Sequence, residues 1–113
     1  MLFNKDDVLV ALRRHIGEGN GATAAELVAE MTGSIGTDTV AERLLRAHVT
    51  SLREEGHHIC AHPARGYFIA ETDAELQATC EYLYDRAMTS LKQVAAMKRV
   101  SLPDLRGQLH LPT

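Results

Sequence analysis

Apolar residues in the first half of the chain recur at three- and four-residue steps, and polar punctuation separates the runs. Val8, Leu9, Leu12 and Ile16 keep helical spacing, with Asn4 ahead as a plausible cap and Gly17 behind as a stop. A Thr followed three residues later by Glu, which lets each side chain satisfy a backbone N–H at a helix start, occurs three times: Thr23/Glu26, Thr39/Glu42 and Thr72/Glu75. The pattern predicts helices over about 4–16, 23–32, 39–55 and 72–99, with Gly19-Asn20-Gly21 as a turn.

Between the third and fourth helices the period changes. Ile59, Tyr67, Phe68 and Ile69 are strand formers around Pro63-Ala64-Arg65-Gly66, a turn sequence, so an extended pair is expected over about 57–70. The fourth helix, about 40 Å long at 1.5 Å per residue, is longer than a small domain requires. Its apolar residues Leu76, Cys80, Leu83, Ala87, Leu91 and Val94 follow helical steps, with Tyr84, Met88 and Met97 beside them. The first part of that stripe can pack on the domain. The remainder, Leu83, Ala87, Leu91 and Val94, predicts pairing with a second copy. Beyond it, Ser101-Leu102-Pro103-Asp104-Leu105 reads as a fresh helix start, and Leu105, Leu109 and Leu111 could dock a protein partner.

A chain of 113 residues with 45% hydrophobic content supports one core domain and an appendage rather than two domains. Residues 1–70 are expected to form the domain and 71–113 the helix and tail. No apolar run reaches the length of a membrane span and the N-terminus lacks a signal-peptide pattern, so a cytoplasmic protein with reduced Cys60 and Cys80 is expected. The formal charge of −3 conceals an uneven distribution. Residues 1–38 hold three bases and six acids, 39–70 four and three, 71–85 none and five, and 86–113 five and one.

The third helix carries the chemistry. At about 100° per residue, Leu45, Val49 and Leu52 fall in a sector of roughly 60°, and Arg43, Arg46, Thr50 and Arg53 fall in a separate sector of roughly 80°. One reading of the second sector is a solvated face, partly neutralised by the flanking Glu42 and Glu54. The other is a recognition helix, since Arg bonds guanine edges bidentately and grips phosphates, and the major groove admits a helix.

His57, His58, Cys60 and His62 invite a metal reading. Strand alternation places His58, Cys60 and His62 on one face and Ile59, the core residue, on the other, so the His-Cys-His row is expected to face outward. Three ligands in a row overreach one ion, and no fourth is near in sequence, so no metal site is assigned; a metal-responsive regulator stands as a minor alternative. There is no Gly-rich phosphate loop, Gly-x-Ser-x-Gly or His-Glu-x-x-His, and no orienting acid stands beside Cys60 in sequence. No enzymatic activity and no cofactor are expected.

Ala24-Ala25-Glu26-Leu27, then Leu45, Val49, Leu52-Arg53 and Gly56, then Ile59 and Arg65-Gly66-Tyr67 together resemble the winged helix-turn-helix of the biotin-operon-repressor type, over about residues 5–70. The expected fold is mainly α with a small β-hairpin wing, plus the long C-terminal helix. The chain departs from the family at Gly33–Asp38, where the turn before the third helix is longer; Arg46 and Thr50 therefore match the motif better than Arg43. The resemblance implies a double-stranded-DNA-binding homodimer, a bacterial or phage transcriptional repressor, with Arg43, Arg46, Thr50, Arg53 and Arg65 on DNA. The alternative is a phage- or plasmid-type replication or partition adaptor that binds DNA and recruits a protein through its C-terminal part.

Overall fold

The computed structural model describes residues 2–98. Along them run α1 (Lys5–Leu12), α2 (Ala24–Thr32), α3 (Thr39–Glu54), β1 (Ile59–His62), β2 (Gly66–Ile69) and α4 (Asp73–Lys98), with a short 3-10 turn at Glu18–Asn20. The architecture is mainly α, with one antiparallel hairpin and a long C-terminal helix. No helix of the described residues is long and apolar enough to cross a membrane.

Each helix start shows how far a local motif determines structure. Asn4 caps α1 by accepting from the Asp7 N–H at 2.8 Å, and the Asp7 carboxylate accepts from the Asn4 N–H at 2.9 Å. Thr23 and Glu26 make the same reciprocal pair at α2. The backbone N–H and then the hydroxyl of Thr23 hold the Glu26 carboxyl below the usual range. At α3 the cap is Asp38 rather than the expected Thr39, its carboxylate accepting from the Ala41 N–H at 3.0 Å. A carboxylate at that position also meets the positive end of the helix dipole. At α4 only half of the expected box forms. Thr72 accepts from the Glu75 N–H at 3.2 Å, but the Glu75 carboxylate accepts from Glu71 at 2.8 Å and Glu18 at 3.0 Å, both backbone N–H groups.

The first helix ends at Leu12, a turn before the predicted stop, because the next residues are used as a strand edge. The Ile69 N–H donates to the His15 carbonyl at 2.8 Å and the Gly17 N–H donates to the Ile69 carbonyl at 2.9 Å. Ile16, expected inside the helix, is instead 44% exposed in that bridge. Farther along, Ala22 and Tyr67 exchange N–H···O bonds at 2.9 and 2.7 Å. The connector between α1 and α2 therefore covers the outer edge of β2, whose other edge pairs with β1 in the register Ile59/Ile69, Cys60/Phe68, Ala61/Tyr67 and His62/Gly66. Covering that edge satisfies backbone groups that would otherwise invite another strand.

Approach along this second edge is close enough to require glycine on both sides. A Cβ on Gly66 would lie 2.3 Å from the Ala22 carbonyl oxygen, and one on Gly21 would lie 2.1 Å from the Arg65 carbonyl oxygen. Gly66 also has φ +82°, in the left-handed region.

The core behind the hairpin is built by the predicted stripes. Val8 and Leu12 of α1, Leu27 and Val28 of α2, and Leu45, Val49 and Leu52 of α3 are buried with Ile59 in one cluster. Fully burying each Val- or Leu-sized side chain contributes roughly 1.5–3 kcal/mol before entropy is counted. The chain divides into two compact units between Thr79 and Cys80, inside α4. The first turns of α4 belong to the first unit through the Glu75 bonds to Glu18 and Glu71 and through Thr79, which is buried. In the second unit Met88 and Leu91 are buried, with Val94 and Ala95 packed beside them.

Candidate nucleic-acid interface

Burial of Ala41, Leu45, Val49 and Leu52 fixes the rotation of α3 about its own axis and turns its polar sector outward. Arg43, Arg46, Ala47 and Thr50 are exposed on that sector. Among the described residues no ion pair engages Arg43 or Arg46, so both guanidinium groups present charge to solvent. The Thr50 hydroxyl donates to the Arg46 carbonyl at 3.1 Å, which leaves its oxygen as an acceptor. Glu54 sits at the C-terminal end of the helix, away from the first two turns, and the nearby Glu55 is held by Lys5. The Lys5 hydrogen bond keeps the Glu55 carboxyl below its usual range.

Arg53 has a different position from its three partners. Its Nε donates to the Ile59 carbonyl at 2.8 Å, tying the last turn of α3 to the first residue of β1. The side chain is half-buried, so its first job is to set the angle between helix and hairpin. Arg65 lies exposed at the hairpin tip, where the Arg65 N–H closes a turn on the His62 carbonyl at 3.1 Å.

The His-Cys-His row does not share one environment. His58 and His62 are exposed, as expected, but Cys60 is fully buried and its thiol donates to the Glu75 carbonyl at 3.6 Å. The second face of the hairpin, Cys60 with its cross-strand neighbour Phe68, is therefore interior, and the expectation of an outward-facing cysteine is corrected. That face could not be assigned from strand alternation because the covering element, the start of α4, lies fifteen residues on. The Nδ1 of His62 accepts from the Ala64 N–H at 3.0 Å and so caps the hairpin turn. No group of three or more His, Cys, Asp or Glu among the described residues is placed to hold a metal ion.

Two apolar residues, one ahead of α3 and one in its first turn, are exposed without a role assigned by the sequence pattern. Ile35, in the lengthened turn, is 101% exposed and Val40, a turn ahead of Arg43, is 72% exposed. Their signal was available: Gly33 and Gly36 bracket Ile35, and Val40 falls outside the sector of Leu45, Val49 and Leu52.

On α4, Leu83 is 42% exposed and Ala87 and Val94 are half-buried, whereas Leu91 is 5% exposed within its own chain. The expected seam of Leu83, Ala87, Leu91 and Val94 is thus split between an open and a covered side. The expected partner-docking residues Leu105, Leu109 and Leu111 lie outside the described residues. No family model, curated protein or solved structure matches the chain.

Proposed function

We propose that the chain is a sequence-specific double-stranded-DNA-binding protein of winged helix-turn-helix type, acting in the cytoplasm as a dimeric transcriptional repressor. The observation that carries this reading is the division of α3 into a buried apolar stripe and an exposed face with two guanidinium groups that no carboxylate engages among the described residues. Arg46 and Thr50 read base edges in the major groove, Arg43 and Arg65 grip phosphates, and Val40 is available for a thymine methyl. Arg53 acts indirectly, by holding α3 against the hairpin that carries Arg65. The covered edge of β2 supports the same reading, because backbone bonds from the connector between α1 and α2 anchor the hairpin beside its tip.

Selection of duplex fragments from the source genome at low salt tests the proposal. Enrichment of fragments from a promoter is the expected result, and enrichment of an origin-like repeat would move the assignment to replication or partition. Absence of any duplex binding at low salt would overturn DNA binding itself.

A further inference from the structure

The exposed side of α4 carries a seam with heptad spacing. Cys80, Leu83, Ala87, Ser90, Val94 and Met97 follow one another at steps of three, four, three, four and three residues, the rhythm of a and d positions in paired helices. Cys80, Leu83, Ser90 and Met97 are exposed and Ala87 and Val94 are half-buried, with Met97 at 78%. Met88 and Leu91 form the covered cluster and are not part of this seam; Val94 lies at its border, packed against them.

Charge along the same helix fixes which occupant suits the seam. From Asp73 to Asp85, α4 holds acids and no bases; from Arg86 to Lys98 it holds Arg86, Lys92 and Lys98 and no acids. A parallel second copy would set acid against acid and base against base. An antiparallel second copy sets the acids Glu81 and Asp85 of one helix along the stretch of the other that holds Arg86, Lys92 and Lys98, and also opposes the helix dipoles.

We infer that two copies of the chain pair through α4 in antiparallel orientation. Leu83 of each copy lies opposite Val94 of the other, Ala87 lies opposite Ser90, and Cys80 lies opposite Met97. Each pair joins an a position to a d position, and all three share one two-fold centre between residues 88 and 89. The small Ala87 and Ser90 side chains at that centre let the helix axes approach closely. This inference rests on the dimer in the function proposed above and specifies its geometry; it does not depend on DNA binding.

The position of Cys80 makes the orientation measurable. In an antiparallel pair the two Cys80 thiols are far apart, whereas in a parallel, in-register pair they face each other. The full-length chain and its Met97→Cys variant are examined by sedimentation under reducing conditions, then oxidised with a mild disulfide-forming reagent and mapped by peptide mass spectrometry. Residues 80 and 97 are about 25 Å apart along one helix, so a disulfide joining them must be intermolecular. The expected results are a dimer at micromolar concentration for both proteins, no Cys80–Cys80 linkage in the wild type, and a covalent dimer of the variant joined from residue 80 to residue 97. Leu83→Asp should raise the dimer dissociation constant at least about tenfold.

A wild-type monomer would overturn the dimer itself. A wild-type dimer that links Cys80 to Cys80, or a Met97→Cys dimer that forms no disulfide between positions 80 and 97, would overturn the antiparallel orientation while leaving a dimer.

Discussion

Arg46 and Arg65 present the same functional group in two settings, and the proposed interface separates their effects. Arg46 projects from the middle of an exposed helix face and Arg65 from a turn. Arg46→Ala should therefore cost on the order of 1–3 kcal/mol on the selected site with little effect on random duplex, whereas Arg65→Ala should weaken both alike. Fluorescence anisotropy with the two duplexes distinguishes these outcomes, and equal losses for Arg46→Ala would assign that residue to the backbone. Gly66 tests the scaffold rather than the contact. Gly66→Ala sets a Cβ against the Ala22 carbonyl in a left-handed backbone, so denaturant melts should show a loss of more than about 1 kcal/mol. Of the five arginine and threonine positions expected at the interface, exposure of Arg43, Arg46, Thr50 and Arg65 follows from helix period and turn chemistry alone. Arg53 differs because its partner is a backbone carbonyl six residues away, placed there by the sharp reversal at Gly56, where φ is +98°. A helical wheel contains no information about that reversal.

At the scale of elements, the hairpin has two buried faces, one through Ile59 and one through Cys60. Cys60→Ser would place a hydroxyl in the site of a weakly polar thiol and should cost about 1–3 kcal/mol, while His58→Ser should change stability by less than about 0.5 kcal/mol. Thermal or urea unfolding of the two variants reads the contrast; equal stabilities would mean that Cys60 is not interior. Glu75 gives the same region a pH dependence. The backbone N–H groups of Glu18 and Glu71, in that order, hold its carboxyl below the usual range. A depressed folded-state value stabilises the fold above the unfolded carboxylate range, and that contribution is lost as pH falls through the folded value. Glu75→Gln should therefore be less stable at neutral pH, because its single amide oxygen accepts only one of the two bonds that Oε1 and Oε2 accept, and should show a shallower acid limb in unfolding below the ordinary carboxylate range, because the amide does not titrate. The helix stripes of α2 and α3 were legible because their apolar period and their burial coincide. The end of α1 was not, since Ile16 fits a helical stripe yet is drawn to β2, a strand more than fifty residues away. The capping motifs were legible as helix starts, but which oxygen caps was decided by neighbours: Asp38 precedes Thr39, and Glu75 finds the Glu18 N–H.

For the whole molecule, charge is the property in greatest tension with the proposed function. Up to Thr79 the chain holds seven Lys and Arg against twelve Asp and Glu, so attraction to DNA cannot come from net charge. It must come from the exposed arginines of α3 and of the hairpin tip, Arg43, Arg46 and Arg65, and this limits how steeply binding can respond to salt. Two phosphate-neutralising groups in one copy, Arg43 and Arg65, correspond to a slope of log affinity against log salt of about −2, and a dimer engaging two half-sites to about −4. Between 50 and 200 mM salt, affinity should therefore fall on the order of tenfold for a single copy and on the order of 150-fold for a dimer. Removing one backbone contact with Arg65→Ala should reduce the slope by about 1 for each copy bound, so the change reports stoichiometry as well as contact. A titration series in monovalent salt with the selected duplex measures both slopes. A flat response, or an unchanged slope in Arg65→Ala, would mean that the exposed guanidinium groups of α3 and the hairpin do not meet phosphate, and the interface would have to be sought elsewhere on the chain.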